Sequence, residues 1–187
     1  MQTPPGGVPR ILIAAALGAC GGDDGGAAAI DATPGDGAAA FDVCEGACRT
    51  TQLTATFGGT TRVLDAAYHG VTTSAAGDTL YLEAYAGAAP GCPSMNSPTP
   101  DYTLILGRVG VPTGPQAVTS PASLLDFKGD LLGGSPAPVT ATAVTLTAVA
   151  YSATAGFVAL DVNLTFPTGT ITGHLFATRC ASLDSAE

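Results

Sequence analysis

Tryptophan is absent, lysine occurs once, and methionine and histidine occur only twice each in the 187 residues. Charged residues make up 11%, against about 25% in an ordinary soluble domain. With 6 Lys+Arg there is no basic cluster to release counterions from a phosphate backbone, which excludes a nucleic-acid footprint. No apolar run approaches the roughly 20 residues that a membrane-crossing helix needs. Glycine (25) and proline (14) follow no three-residue period, so a collagen-like helix is excluded and many turns are expected. What is present points to a folded chain. Hydrophobic residues reach 46%, enough to bury a core, and 15 Asp+Glu set the net charge at −9. The length suits one domain, or a tail and one smaller domain.

Near the amino terminus, Arg10 precedes the apolar run Ile11-Leu12-Ile13-Ala14-Ala15-Ala16-Leu17-Gly18-Ala19, which ends at Cys20. The run is too short to span a bilayer and long enough for the apolar region of a secretory signal. The tetrapeptide Leu17-Gly18-Ala19-Cys20 resembles the lipobox of bacterial lipoprotein precursors. That resemblance implies cleavage just before Cys20, a cysteine acylated on its thiol, and residues 1–19 as the signal peptide. It also implies attachment to a membrane of the cell envelope. Gly21, where an aspartate marks inner-membrane retention in well-studied two-membrane bacteria, favours the outer membrane. Residues 21–40 comprise six Gly, seven Ala, four Asp and one each of Ile, Thr and Pro. Such a segment has almost nothing to bury and is expected to be a disordered tether, spanning roughly 25 Å as a flexible coil. Residues 20–43 are therefore assigned to the tether and 44–187 to the domain.

With Cys20 assigned to lipid, Cys44, Cys48, Cys92 and Cys180 form an even set on the exported side, where disulfides persist. Three pairings are open. One closes Cys44 on Cys48 and leaves Cys92 with Cys180; the other two join the start of the domain to both distant cysteines. The long-range pairings are favoured, because Cys48 opens the first expected strand and Cys180 closes the last. A zinc site is disfavoured, since two close Cys pairs, or a Cys pair with a His pair, are its usual signature.

From Thr50 onward, apolar residues alternate with threonine and small polar residues, interrupted by glycine and proline, as strands require. Gly58-Gly59 predicts a two-residue hairpin turn that sets Phe57 opposite Thr60 and Leu53 opposite Leu64. Further strands are expected at Leu80–Tyr85, Tyr102–Val109, Val139–Val149, Val158–Phe166 and Thr170–Thr178. At the last hairpin two registers compete. A type I turn with a glycine bulge pairs Phe166 with Thr170; matching the apolar faces pairs Leu164 with Ile171, Leu160 with Leu175 and Asp161 with His174. Loops are expected at 87–101, tied down by Cys92, and at 110–123. The fold class is all-β, an antiparallel β-sandwich of about eight strands.

Motifs for chemistry are sparse. Gly133-Gly134-Ser135-Pro136-Ala137 lacks the last glycine of a nucleophile elbow, and Pro136 removes a needed N–H, so it reads as a turn. Gly107-Arg108-Val109-Gly110 lacks the glycine spacing of a dinucleotide fingerprint. Asp23 and Asp24 lack the spaced oxygens of a calcium loop. Asp65 and His69 share a strand face but lie about 13 Å apart. Tyr81 and Tyr85 flank Glu83 on one face, an arrangement that serves either as half-buried sheet aromatics or as a binding stripe. No catalytic residue, metal ligand or cofactor is assigned. The residues point to a lipid-anchored cell-envelope protein acting as a binding or structural module, its protein or glycan partner open. The alternative is a small exported hydrolase whose acids or histidine are assembled by folding.

Overall fold

Alternating apolar and small polar residues give strands with one face to bury. The computed structural model describes residues 40–87, 91–134 and 137–186, and its regular elements are strands apart from two short 3₁₀ turns. After a 3₁₀ turn at Gly46–Arg49 come β1 (Gln52–Phe57), β2 (Thr60–Leu64) and β3 (Ala66–Thr73). A long loop separates β4 (Thr79–Ala86) from β5 (Tyr102–Gly110). The shorter β6 (Gln116–Val118), β7 (Ala122–Asp126) and β8 (Val139–Thr140) follow. The longest strands are β9 (Ala143–Ser152), β10 (Phe157–Phe166) and β11 (Gly169–Arg179). A 3₁₀ turn at Ala181–Leu183 and β12 (Ser185–Ala186) complete the described chain. No helix among the described residues is long and apolar enough to cross a membrane.

The all-β expectation is met, but the expected uniform antiparallel pairing is corrected: the sheet is mixed. Its order is β6-β9-β10-β11-β3-β4-β5-β7-β8, with β1 on β11 and β2 on β1. β11 meets β3 in parallel at Thr178–Tyr68 and Arg179–His69, and β12 also runs parallel to β3. The reason lies in the chain path. β1 is antiparallel to β11 and β2 antiparallel to β1, so β2 runs with β11. Only Asp65 separates β2 from β3, so β3 keeps that direction and takes the end of β11 that projects past β1.

A second junction brings the ends of this order together. β8 pairs with β7, whereas β9, two residues later, pairs with β10. Between them, the Ala141 N–H donates to Ala122 O (2.9 Å) and the Thr142 N–H to Thr165 O (2.7 Å). One run of chain therefore serves both ends, and the sheet curls on itself around the core. Leu53, Leu80, Leu82, Leu104, Leu160 and Leu164 are fully buried inside the curl. Each contributes roughly 1.5–3 kcal/mol of burial.

At its start β10 is buried on both faces. Phe157 and Ala159 join Ala150 and Cys44 in a second cluster, with Phe176 stacked on Phe157 at 5.5 Å. The described fold also reaches back to Phe41, which packs against the main core and whose carbonyl accepts the Tyr151 N–H (2.9 Å).

The hairpins follow packing. Phe57 faces Thr60 and Leu53 faces Leu64, as the Gly58-Gly59 turn predicts. In the β10–β11 hairpin, Leu164 faces Ile171, Leu160 faces Leu175 and Asp161 faces His174. The face-matched register prevails, and Phe166 pairs with Gly169 rather than Thr170. A one-residue slip would turn a whole apolar face outward, a larger penalty than an unfavourable turn at Pro167-Thr168. Gly169 is needed for close approach: a Cβ there would overlap the Thr56 carbonyl and the Phe57 ring.

The disulfides are Cys44–Cys48 and Cys92–Cys180, with Cα separations of 5.4 and 5.6 Å. This corrects the favoured long-range pairing of the first two cysteines. The 3₁₀ turn between Cys44 and Thr50 brings Cys48 back onto Cys44, while β11 carries Cys180 past β1 to β3, on the side of the 87–101 loop. The 110–123 stretch is also less irregular than expected, since it holds β6 and the start of β7.

Candidate functional site

In β4 the even-numbered residues Leu80, Leu82 and Ala84 fill the core, so Tyr81, Glu83 and Tyr85 fall on the other face. That face is roofed by the loop after β4. Cys92 ties the roof to Cys180, the Gly91 N–H donates to Tyr68 Oη (2.9 Å), and Ser182 Oγ donates to the Pro93 carbonyl. At its far end the Asp101 N–H donates to Ala86 O (2.9 Å). Between roof and sheet lies a cleft of about 340 Å³, within the range of small-molecule sites, roughly 300–1,000 Å³. Its floor includes Tyr68, Tyr85, Glu83, Ile105 and Leu125; its rim includes Phe127, which is 54% exposed.

Glu83 is held as an acceptor from two sides. Tyr81 Oη donates to Oε1 (2.8 Å) and Tyr85 Oη donates to Oε2. Burial, and then contact with Glu83, raise both tyrosine hydroxyls well above the ordinary range, so they remain protonated donors. A carboxylate has about four lone-pair sites, and these two bonds use one on each oxygen. Among the described residues no Lys, Arg or His lies within ion-pair reach of Glu83. Lys128, beside the rim, is engaged by Asp101 at 3.1 Å.

The rim is set by a buried carboxylate. Asp126, 5% exposed, accepts the backbone N–H groups of Gly129, Leu131 and Leu132 at 2.6, 2.8 and 2.7 Å. The turn it organises places Asp130 against Arg62 (2.6 Å), with Tyr102 Oη donating to the same carboxylate. Sequence reasoning passed over Asp126, although Asp126-Phe127-Lys128-Gly129 has the Asp-first, Gly-last pattern of a type I turn. Tyr68 and Phe127 carry no such local signal, because only the sheet pairing brings them to the cleft.

Neither histidine lines the cleft. His174 Nδ1 meets Asp161 at 2.9 Å and its Nε2 meets the Cys48 carbonyl at 3.0 Å, so both ring nitrogens are engaged structurally. His69 is 2% exposed and neither ring nitrogen has a hydrogen-bond partner. Burial, then the charge of Arg179, hold its pKa below the ordinary value, opposed by the nearby backbone of Gly70 and Gly156 and then by Asp184. The unfolded chain thus takes up this proton first as pH falls below about 6.5. Stability attributable to His69 is expected to be unaffected above that value and to decline below it, down to the folded-state pKa. Thermal unfolding from pH 7.5 to 5 should show a fall in midpoint that is shallower in His69→Phe. An identical slope in both proteins would contradict this.

The other sequence candidates are dispersed. Among the described residues no three His, Cys, Asp or Glu side chains converge in a metal-binding group. Arg108, within the Gly107–Gly110 stretch, sits in β5 at φ 52° beside an irregularity in the β4–β5 pairing. Gly133 and Gly134 adopt the positive φ of a turn, while Ser135 and Pro136 lie outside the described residues. Cys20, the lipobox, Asp23 and Asp24 also lie outside them. No family model matches this chain, and neither a curated protein nor a solved structure matches it.

Proposed function

We propose that this protein is a lipid-anchored binding module of the bacterial cell envelope, a β-sandwich whose roofed cleft takes a small ligand. The observation that carries the binding role is the cleft itself: a concave site with an apolar and aromatic lining and one convergent carboxylate. Support for the anchor comes from Leu17-Gly18-Ala19-Cys20, with residues 21–40 as the spacer and Gly21 favouring the outer membrane. Two places where the chain changes sheet partner, at the end of β11 and between β8 and β9, support reading the curled sheet as a sandwich with bridged corners.

The test is the intact mass of protein recovered from membranes of an expressing bacterium, alkylated with and without prior reduction. A chain beginning at Cys20 with added acyl mass, and four thiols that appear only after reduction, is the expected result. A full-length chain, or a cut chain without acyl mass, overturns the anchored reading.

A further inference from the structure

Resting on the reading of the cleft as a binding site, we infer that its ligand is an organic cation: a substituted ammonium group carried on an apolar body. Three features of the lining select this chemistry. Glu83 is the only ionisable carboxylate among the residues that line the cleft, and it has no cationic partner among the described residues. Its negative charge is oriented by Tyr81 and Tyr85 rather than neutralised. Three aromatic rings, Tyr68, Tyr85 and Phe127, line the same space, with the two tyrosine centroids 6.2 Å apart and inclined at 49°.

A ring face attracts a cation seated within about 6 Å of its centroid, and a quaternary ammonium suits such a surround because its methyl groups also bury apolar area. A neutral ligand would leave the Glu83 charge facing a largely apolar cavity, and an anion would be repelled by it. A simple metal ion fits poorly, because the cleft offers one carboxylate where calcium takes six to eight oxygens. Of the remaining lining, Ile105, Leu125 and the prolines of the roof supply surface for an apolar body, and Ser94, Ser97, Thr99 and Thr103 add hydroxyl groups beside it. The overall charge of −9 draws cations toward the molecule in general, so the test must separate the cleft from that field.

Intrinsic tyrosine fluorescence reports the site directly, since the chain has no tryptophan and three of its 5 tyrosines surround Glu83. The purified full chain is titrated at physiological salt with choline and with its uncharged tert-butyl isostere. The expected result is saturable binding of choline at least about tenfold tighter than the isostere, a margin within reach of a desolvated cation–π and charge contact. Glu83→Gln should reduce that margin severalfold while leaving the isostere unchanged. Phe127→Ala, at an exposed rim position that does not hold the core, should weaken choline severalfold. Near-ultraviolet circular dichroism establishes that each variant keeps the wild-type fold. Equal affinity for the two probes, or an undiminished margin in Glu83→Gln, overturns the cation inference and leaves the cleft as a binding site. A tyrosine signal that responds to neither probe overturns both.

Discussion

Removing the Cys92–Cys180 bridge by replacing both cysteines with serine is expected to lower the unfolding free energy by about 4–5 kcal/mol. The two cysteines are 88 residues apart, and the chain-entropy relation gives that figure for a loop of this length. The same relation gives about 2 kcal/mol or less for Cys44–Cys48, which closes a separation of only 4. The two double variants thus form an internal comparison, read as urea midpoints with a check that the slopes agree. A second consequence separates them further. Cys92 secures the near end of the cleft's roof, where only the Gly91–Tyr68 and Ser182–Pro93 hydrogen bonds named above would remain beside it, the Asp101–Ala86 bond holding the far end. Hydrogen exchange across residues 91–100 should therefore accelerate in the first variant and remain unchanged in the second. Equal midpoint losses, or an undisturbed roof after loss of Cys92, would contradict the role given to this bridge.

The other large effect is expected at Asp126. Its carboxylate takes three backbone N–H groups within six residues, the Leu131 group fully buried. Substitution by alanine leaves these donors without an acceptor, and each unsatisfied buried donor costs roughly 1–3 kcal/mol. Partial solvent access to Gly129 and Leu132 moderates the total, so Asp126→Ala should destabilise by about 3–5 kcal/mol. Asp126→Asn keeps one acceptor oxygen but turns an NH₂ group toward an N–H, and about half that loss is expected. The damage should spread through Asp130 to Arg62 and Tyr102, which the same turn brings together. Chemical denaturation measures the first effect, and exchange of the Leu131 amide measures the second. A loss below about 1 kcal/mol for Asp126→Ala would mean the turn is held by something other than this carboxylate.

Local patterns were legible where a residue's role depends on its chain neighbours. The alternation Val158, Leu160, Val162, Leu164, Phe166 announced a strand with one buried face, and all five are buried. Gly58-Gly59 fixed its hairpin because two positive-φ residues in succession admit few alternatives. The 158–178 register was left open by turn chemistry and decided by packing: Leu164 on Ile171 outweighs what Pro167 prefers. Tertiary relations were not legible in this way. Parallel contact between β11 and β3 arises from lengths and directions of strands distant in sequence, which no window contains. The cysteine pairing failed for a related reason, since it depends on where β11 ends relative to β1. Of the cleft, the Tyr81-Glu83-Tyr85 stripe could be read from alternation, but Tyr68 and Phe127 join it only through sheet pairing.

The way the sheet ends bears on how these molecules behave when crowded. β6 and β8, at the two ends of the strand order, are three and two residues long, and β12 is two. β2, which among the described residues pairs only with β1, offers five residues and places Arg62 among them. Short or charged margins give a neighbouring copy almost no ladder of free amides to extend. However concentrated the protein, margins of this kind leave little backbone from which a fibre could grow.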